Sequence, residues 1–298
     1  MRTAFINQLV TEAELHENIV LLVGDLGYSV VEIFADRFPD RYYNVGIAEQ
    51  SMAGIAAGLA HEGYNVYLYS IGNFPTLRCI EQLRYDVAYH NLSVKIVAVG
   101  AGYAYGSLGA SHHATEDIAM LRAIPDTIVS TPGDPVETRA IAHLSANIPG
   151  MMYIRLGKAR ETIVHTNEID GLRIGDLLPV EMKGSKTAIL AGGSILAYAQ
   201  ERVNSGEINA DLYSVPFVKP LNVDCLIHLA ECYDNITVIE EHQLSGGIGS
   251  AVVEVLSDLY ASGRIVNMPH VRRVAIRDVF CHVGGSQQYL RNYMGLKL

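Results

Sequence analysis

The sequence predicts an α/β protein of two doubly wound domains, and three observations carry that prediction. Short, continuously apolar runs recur along the 298 residues. Longer stretches of helical character separate them, and strands buried on both faces of a helix-covered, largely parallel sheet read in this way. A more polar stretch from about 157 to 186, containing KARETIVHTNEIDG and EMKGSK, then interrupts the series before a second one begins. The expected division is a first domain over 1–165, a linker over 166–186 and a second domain over 187–298.

The opening MRTAFINQLVTEAEL reads as an amphipathic helix. Strands follow at NIVLLVGD (18–25), YNVYLYS (64–70), VKIVAVG (94–100), DTIVST (126–131) and GMMYIRL (150–156). Between them GIAEQSMAGIAAGLAHEG, TLRCIEQLRYDVAYHN and DPVETRAIAHLSAN read as helices. The second series supplies strands at KTAILAGG, ADLYSVPF, NITVIEEH and RRVAIRD, with helices between them.

Composition narrows the function classes. At 49% hydrophobic residues the chain can bury a sizeable core. A formal net charge of -10 without a basic cluster argues against nucleic acid or an anionic membrane surface as partner. The four cysteines, Cys79, Cys225, Cys232 and Cys281, form no CxxC pair and read as reduced thiols, not as a metal site or disulfide frame. The opening segment lacks the basic flank and apolar run of a signal peptide, and no apolar stretch is long enough to span a bilayer. The expectation is a soluble cytoplasmic protein.

The most informative segment is FPDRYYNVGIAEQSMAGIAAGLAHEG. A loop ends at Gly46, a small-residue helix starts near Ile47, and Glu49 lies in its first turn. Taken alone, such an acid is accounted for by the helix dipole, and the small residues by close helix packing. Its surroundings point elsewhere. NVGIAEQ and its Gly/Ala-rich helix, EQLRYDVAYHNLSVKIV, GASHHATEDIAMLRAIPDTIVSTPGDPVE, YIRLGK, PFVKPLN and VIEEHQLSGGIGSAVVEV together resemble the transketolase family, in that family's order and over nearly the whole chain. The 1-deoxyxylulose-5-phosphate synthases and 2-oxoacid dehydrogenase β subunits share this architecture.

The resemblance implies a thiamine-diphosphate pyrimidine-binding domain followed by a transketolase C-terminal-like domain. It makes Glu49 the catalytic carboxylate that hydrogen-bonds the cofactor's aminopyrimidine and favours its imino tautomer, the base for the thiazolium C2 proton. Ile47 and Tyr69 are implied cofactor neighbours. Phe74 is the candidate for stacking on the pyrimidine. Aligning Arg78 and the EQ pair puts Pro75 at the family's aromatic position, so the loop is shifted by one residue, with Tyr69 and Tyr67 behind; core packing of an aromatic at a strand end is the competing reading.

His112 matches the family's substrate-carbonyl histidine, with a role in protonation or in binding a sugar hydroxyl. His113 either joins it at the substrate or caps the helix that Thr115, Glu116 and Asp117 suit. Arg78 and Arg155 match substrate-phosphate positions, the alternative being ordinary salt bridges. Two departures stand out. Leu108 replaces a sugar-binding Asp, and Tyr103 and Tyr105 occupy a loop where relatives carry a His. These departures put the classical pentose-phosphate substrates in doubt, and a modified, deoxy or nucleotide-linked sugar is the hypothesis they leave open.

The family holds the cofactor's diphosphate and Mg²⁺ at a GDG motif in a separate domain. This sequence reads GDL at 24–26, GDP at 133–135 and GDL at 175–177, but nowhere GDG. The expected partner is therefore an N-terminal transketolase-like subunit carrying that motif, in a heterotetramer built on a homodimer of this chain, which alone would be inactive. No metal ligand is assigned to this chain. The EEH and GG features suggest an anion site at a helix N-terminus in the second domain, whose expected role is structural. Three functions remain open: a two-component transketolase-like ketol transferase; a 2-oxoacid dehydrogenase β-like or deoxyxylulose-phosphate-synthase-like subunit; and a non-catalytic assembly subunit.

Overall fold

In the computed structural model, which describes residues 1–298, the first layer of structure is a parallel sheet wrapped by helices. The chain runs through α1 (Arg2–Leu15), β1 (Ile19–Val23), α2 (Glu32–Arg37), β2 (Tyr42–Asn44), α3 (Glu49–His61) and β3 (Asn65–Ile71). It continues through α4 (Ile80–Gln82), which runs on as a π-helical turn over Leu83–Ala88, then β4 (Val94–Val99), α5 (Asp117–Ala123), β5 (Ile128–Ser130), α6 (Pro135–Asn147) and β6 (Met152–Leu156). The second part holds β7 (Leu178–Glu181), β8 (Thr187–Gly192), α7 (Leu196–Asn204), β9 (Asp211–Ser214) and β10 (Phe217–Lys219). It ends with α8 (Val223–Cys232), β11 (Asn235–Gln243), α9 (Ile248–Ala261), β12 (His270–Ile276) and α10 (Gln287–Tyr293).

The first sheet has the order β10-β5-β6-β4-β3-β1-β2 and the second β12-β11-β8-β9-β7. All pairings are parallel except β10 with β5 and β7 with β9. Two features depart from the expected linker and boundary. Leu178–Glu181, inside the 166–186 stretch, is an edge strand of the second sheet. Its Pro179 hides it in the sequence, because proline is tolerated only where one side of the ladder is free. Phe217–Lys219, from the second half of the chain, closes the edge of the first sheet, with Phe217 fully buried. Thr131 extends this junction: its N–H donates to Pro216 O and its hydroxyl to Val215 O, each at 2.8 Å.

Period-two alternation sorts the first sheet's side chains onto two faces. Ile19, Leu21, Tyr67, Tyr69, Val97 and Ile154 pack with α1 and α6. Val20, Leu22, Val66, Leu68, Ile96 and Tyr153 pack with α3 and α5, in a core that continues without a break into the second part through Leu190, Val218 and Val252. The helix start predicted at DPVET is built as expected: the Asp134 side chain accepts the N–H groups of Val136 and Glu137, with Pro135 in the first turn.

The C-terminal end of β11 is the seam between the two parts. Glu241 accepts the Tyr103 N–H at 2.5 Å and pairs with buried Arg291. His242 Nε2 accepts the Ala119 N–H in the first turn of α5 at 3.3 Å, and the Gln243 N–H donates to Thr115 O at 2.8 Å. Glu240 accepts the N–H groups of Ile248 and Gly249 at 2.7 and 2.8 Å. The anion suggested at the helix start after EEH is thus the chain's own Glu240 carboxylate, which fills that end of α9.

Candidate cofactor and substrate site

Glu49 is the first residue of α3, and the loop before it is set by Asn44. The Asn44 Oδ1 accepts the Asp25 and Gly46 N–H groups at 3.1 and 3.0 Å, and its Nδ2 donates to Asp25 Oδ1 at 3.0 Å. Gly46 takes φ +72°, which favours glycine, and the chain then enters the helix. The Glu49 carboxylate lies against Gly24 at the end of β1, which also borders Ser70 in β3. It is 4% exposed. Its Oε2 accepts from Arg78 Nη1 at 3.0 Å, whereas Oε1 is buried without a hydrogen-bond partner, as is Ser70 Oγ. An orphaned buried carboxylate oxygen is costly, and it marks a place where another donor belongs. An open depression of about 480 Å³ lies over this point, lined by Ile47, Gln50, Ser51 and Arg78 beside Glu49. Ile47 itself is 76% exposed.

Phe74 lies next to this carboxylate's partner. The Arg78 guanidinium carbon sits 4.0 Å from the centre of the Phe74 ring, a cation–π contact. The His112 ring meets the same phenyl ring edge-on, 5.3 Å centre to centre. Glu49, Arg78, Phe74 and His112 therefore form one continuous chain of contacts. Asn73 holds it together, donating to His113 O at 2.7 Å and to Ser111 O at 3.4 Å. His112 is half-buried, and burial first, then the charges of His113 and Arg78, hold its pKa below the ordinary value. At neutral pH this favours the neutral imidazole, whose Nδ1 lies 3.0 Å from Ser111 Oγ. Cys79, buried beside Glu49, has its thiol pushed up to about 12 by burial and then by the Glu49 charge. All four cysteines are free.

His113 turns inward. Its ring packs edge-on against buried Tyr103 at 5.0 Å and its Nε2 lies 3.4 Å from Gly106 O. The cap of α5 comes from His242, not from His113. Leu108, in a short 3₁₀ turn over Gly106–Leu108, is exposed, and Tyr105 packs near His112 with rings 6.3 Å apart. The Lys158 ammonium lies 4.8 Å above the Tyr105 ring.

Two candidates are placed elsewhere. Tyr69 is buried on the α1 face of the sheet, together with Tyr67, whereas Glu49 belongs to α3 on the opposite face. Arg155 is 3% exposed and committed to the interior. Its Nε donates to Asp117 Oδ2 at 2.7 Å, and its Nη2 to Ala114 O at 2.6 Å and Glu241 O at 3.0 Å. Tyr153 Oη donates to the same Asp117 carboxylate at 2.5 Å. The Asp117 carboxyl is held below its usual range: burial acts to raise it, and Arg155 and His242 outweigh that. Arg155 ties the core together and meets no open surface, so the phosphate role read for it is replaced by the salt-bridge alternative.

Sequence reasoning missed Ser70, Asn73 and Asn44, although the two asparagines are loop-setting residue types beside a strand end and a helix start. It also missed the group Asp134, Glu137 and His165. The His165 Nε2 lies 2.7 Å from Glu137 Oε1, Glu137 Oε2 accepts the Gly133 N–H, and Asp134 accepts four backbone N–H groups. These bonds pin the segment after β6 to the start of α6.

A buried carboxylate at a helix start, at the edge of an open depression and joined through Arg78 to an aromatic ring and a histidine, offers a planar ligand a hydrogen-bond acceptor and a π-face on an α/β subunit. Similarity to known proteins says which kind of subunit. Residues 1–161 match the transketolase, pyrimidine binding domain, and residues 178–295 the transketolase, C-terminal domain. The chain belongs to the transketolase family. It is 33% identical over 297 residues to a putative transketolase C-terminal section of Methanocaldococcus jannaschii, covering 98% of this chain and 91% of that protein. It is likewise 33% identical to an apulose-4-phosphate transketolase subunit of Phocaeicola vulgatus, covering 95% and 92%. A solved structure described as a split gene transketolase, inactive β4 tetramer, superposes with a TM-score of 0.86 at 34% identity, covering 99% of this chain and 93% of that one. No helix of the chain is long and apolar enough to cross a membrane.

Proposed function

We propose that this chain is the pyrimidine-side catalytic subunit of a two-component transketolase, transferring a two-carbon ketol unit between sugar-type substrates. The observation that carries the reading is Glu49: a buried carboxylate at the edge of an open depression, with one oxygen unpartnered and the other bound by Arg78, which itself packs on Phe74. That environment fits the aminopyrimidine of thiamine diphosphate, which offers hydrogen-bonding nitrogens for the carboxylate and a π-face for Phe74. When bound, thiamine diphosphate supplies the carbanion chemistry of the transfer.

The chain's own residues then have distinct tasks. Glu49 holds the pyrimidine edge and biases its protonation. Phe74 and Ile47 bound the ring, keeping water from it. His112, neutral at physiological pH, stands next to Phe74 to donate a hydrogen bond to a substrate oxygen. Asn73 fixes His112 through the carbonyls on either side of it. Arg78 is the remaining candidate for a substrate phosphate. The diphosphate and Mg²⁺ fall to a partner subunit bearing GDG, in a cytoplasmic heterotetramer around a homodimer of this chain. Exposed Leu108 and half-buried Tyr105, where a sugar-reading Asp and His stand in relatives, favour a modified or deoxy sugar over the classical pentose phosphates; the Phocaeicola vulgatus relative, named for apulose 4-phosphate, supports a non-classical substrate.

The test is co-expression with a GDG-bearing subunit, followed by a donor–acceptor screen read by mass spectrometry. Ketol transfer is expected from the complex and not from either subunit alone. Robust transfer by this chain alone, or near-normal turnover of a Glu49→Gln complex, overturns the reading. A product formed from pyruvate and a triose phosphate assigns the synthase-like alternative instead.

A further inference from the structure

We propose that Arg78 is a placeholder for the cofactor: it makes the contacts with Glu49 and Phe74 that the pyrimidine ring would make, and it must give them up before the cofactor can bind. This rests on the reading of Glu49 as the cofactor's carboxylate. A planar cation with N–H donors on its edge is a fair mimic of a protonatable aminopyrimidine. Arg78 makes the two contacts that reading assigns to the ring. Its Nη1 donates to Glu49 Oε2 at 3.0 Å, and its guanidinium plane lies over Phe74 with Cζ 4.0 Å from the ring centre. It also stands close enough to His112 to depress that residue's protonation. One side chain thus touches both the carboxylate and the aromatic platform of the site.

The physical reason for such a device is the burial of Glu49. A carboxylate 4% exposed and without a counter-charge is expensive in a chain awaiting its partner. Arg78 supplies the charge on the depression side, where its side chain is 46% exposed and free to swing into solvent. Glu49 Oε1 stays unpartnered, because the guanidinium engages only the other oxygen. The contact therefore satisfies one carboxylate oxygen only and is incomplete enough to be displaced. On release, the guanidinium remains at the mouth of the same depression, where it is available to a substrate anion.

The experiment has two arms. In the isolated chain, Glu49→Gln, Arg78→Gln and the double variant are compared by thermal unfolding; the two substitutions are expected to be non-additive, because each removes the other's partner. In the assembled complex, thiamine diphosphate affinity is measured by calorimetry on wild type, Arg78→Gln and Arg78→Lys. Arg78→Gln is expected to bind about tenfold tighter, equivalent to about 1.4 kcal/mol, the size of a partly screened ion pair plus a cation–π contact. Arg78→Lys, which keeps the charge and loses the flat stacking face, is expected between the two. Equal or weaker cofactor binding by Arg78→Gln overturns the placeholder role while leaving the function reading intact. Absence of cofactor binding in wild type and variant alike overturns the function reading itself, and the placeholder with it.

Discussion

The carboxylate of Glu241, at the end of β11, accepts the backbone N–H of Tyr103 at 2.5 Å, and so a residue of the second domain fastens the base of the loop that carries His112. Gly102 makes this approach feasible. Its φ is +58°, and a Cβ there would stand 2.5 Å from Glu241 Cγ. Arg291 holds the other carboxylate oxygen, with Nε at 2.6 Å, and Gln287 adds a further donor to each oxygen at 3.1 Å. Glu241→Ala removes the acceptor and leaves Arg291 buried and unpaired, a loss of about 3–5 kcal/mol. Hydrogen exchange should then accelerate at the Tyr103 amide and through residues 103–113, and slow exchange there would show that the loop is held by other means.

Glu49→Gln keeps the size and shape of the side chain and one acceptor for Arg78. The variant is expected to fold with a near-normal circular dichroism spectrum and to retain assembly with the partner, while turnover falls by about 10²–10⁴-fold, the usual span for a lost acid–base group. Loss of assembly would indicate an architectural role instead.

Arg155→Ala is expected to act on stability and not on substrate affinity. It strands the Asp117 carboxylate in the core and leaves the Ala114 and Glu241 carbonyls without this donor, at about 3–5 kcal/mol. Thermal or denaturant unfolding reads this directly. A stable variant with a raised KM only for phosphorylated substrates would reinstate the phosphate role.

Asn73→Ala removes the donor to the Ser111 and His113 carbonyls without touching the His112 ring. The expected outcome is a lower kcat with cofactor affinity largely preserved, because the loop loses its anchor next to Phe74. Equal kcat in variant and wild type would place the anchor elsewhere.

Lys95, fully buried in β4, gives a pH signature that is independent of catalysis. Its ammonium donates to Ile148 O at 2.8 Å and Gly150 O at 2.7 Å, and burial pushes its pKa down from 10.5 to about 7. The folded value lies below the unfolded one, so between about pH 7 and 10.5 the unfolded chain binds more protons than the folded chain. Stability contributed by this group therefore rises with pH across that window, and the burial penalty is fully present below it. Lys95→Met should flatten this slope in unfolding measurements between about pH 7 and 9; an unchanged slope would assign it to other groups.

Much of this was legible in the sequence, and the limits were physical. The order of strands and helices follows from local apolar runs and turn residues, which act over a few neighbouring positions; so do the Asp134 cap and the start of the helix at Glu49. Period two also places Tyr69 and Ser70 on opposite faces of β3. It does not say which face α3 covers, because that depends on the hand of the crossover between strands, a property of the assembled sheet. Hence Tyr69 read as a cofactor neighbour although it lies on the α1 face, and Ser70, on the same face as Glu49, went unnoticed. Arg155 meets Asp117 across 38 positions of sequence, and Tyr103 meets Glu241 across 138. Such pairs are chosen by packing, not by spacing. The sequence by itself determined that the chain carries a carboxylate at a helix start in a transketolase pattern. Only the tertiary structure decided what that carboxylate touches. Burial removes water as a partner for Glu49, and the nearest cation that the fold delivers to it is Arg78.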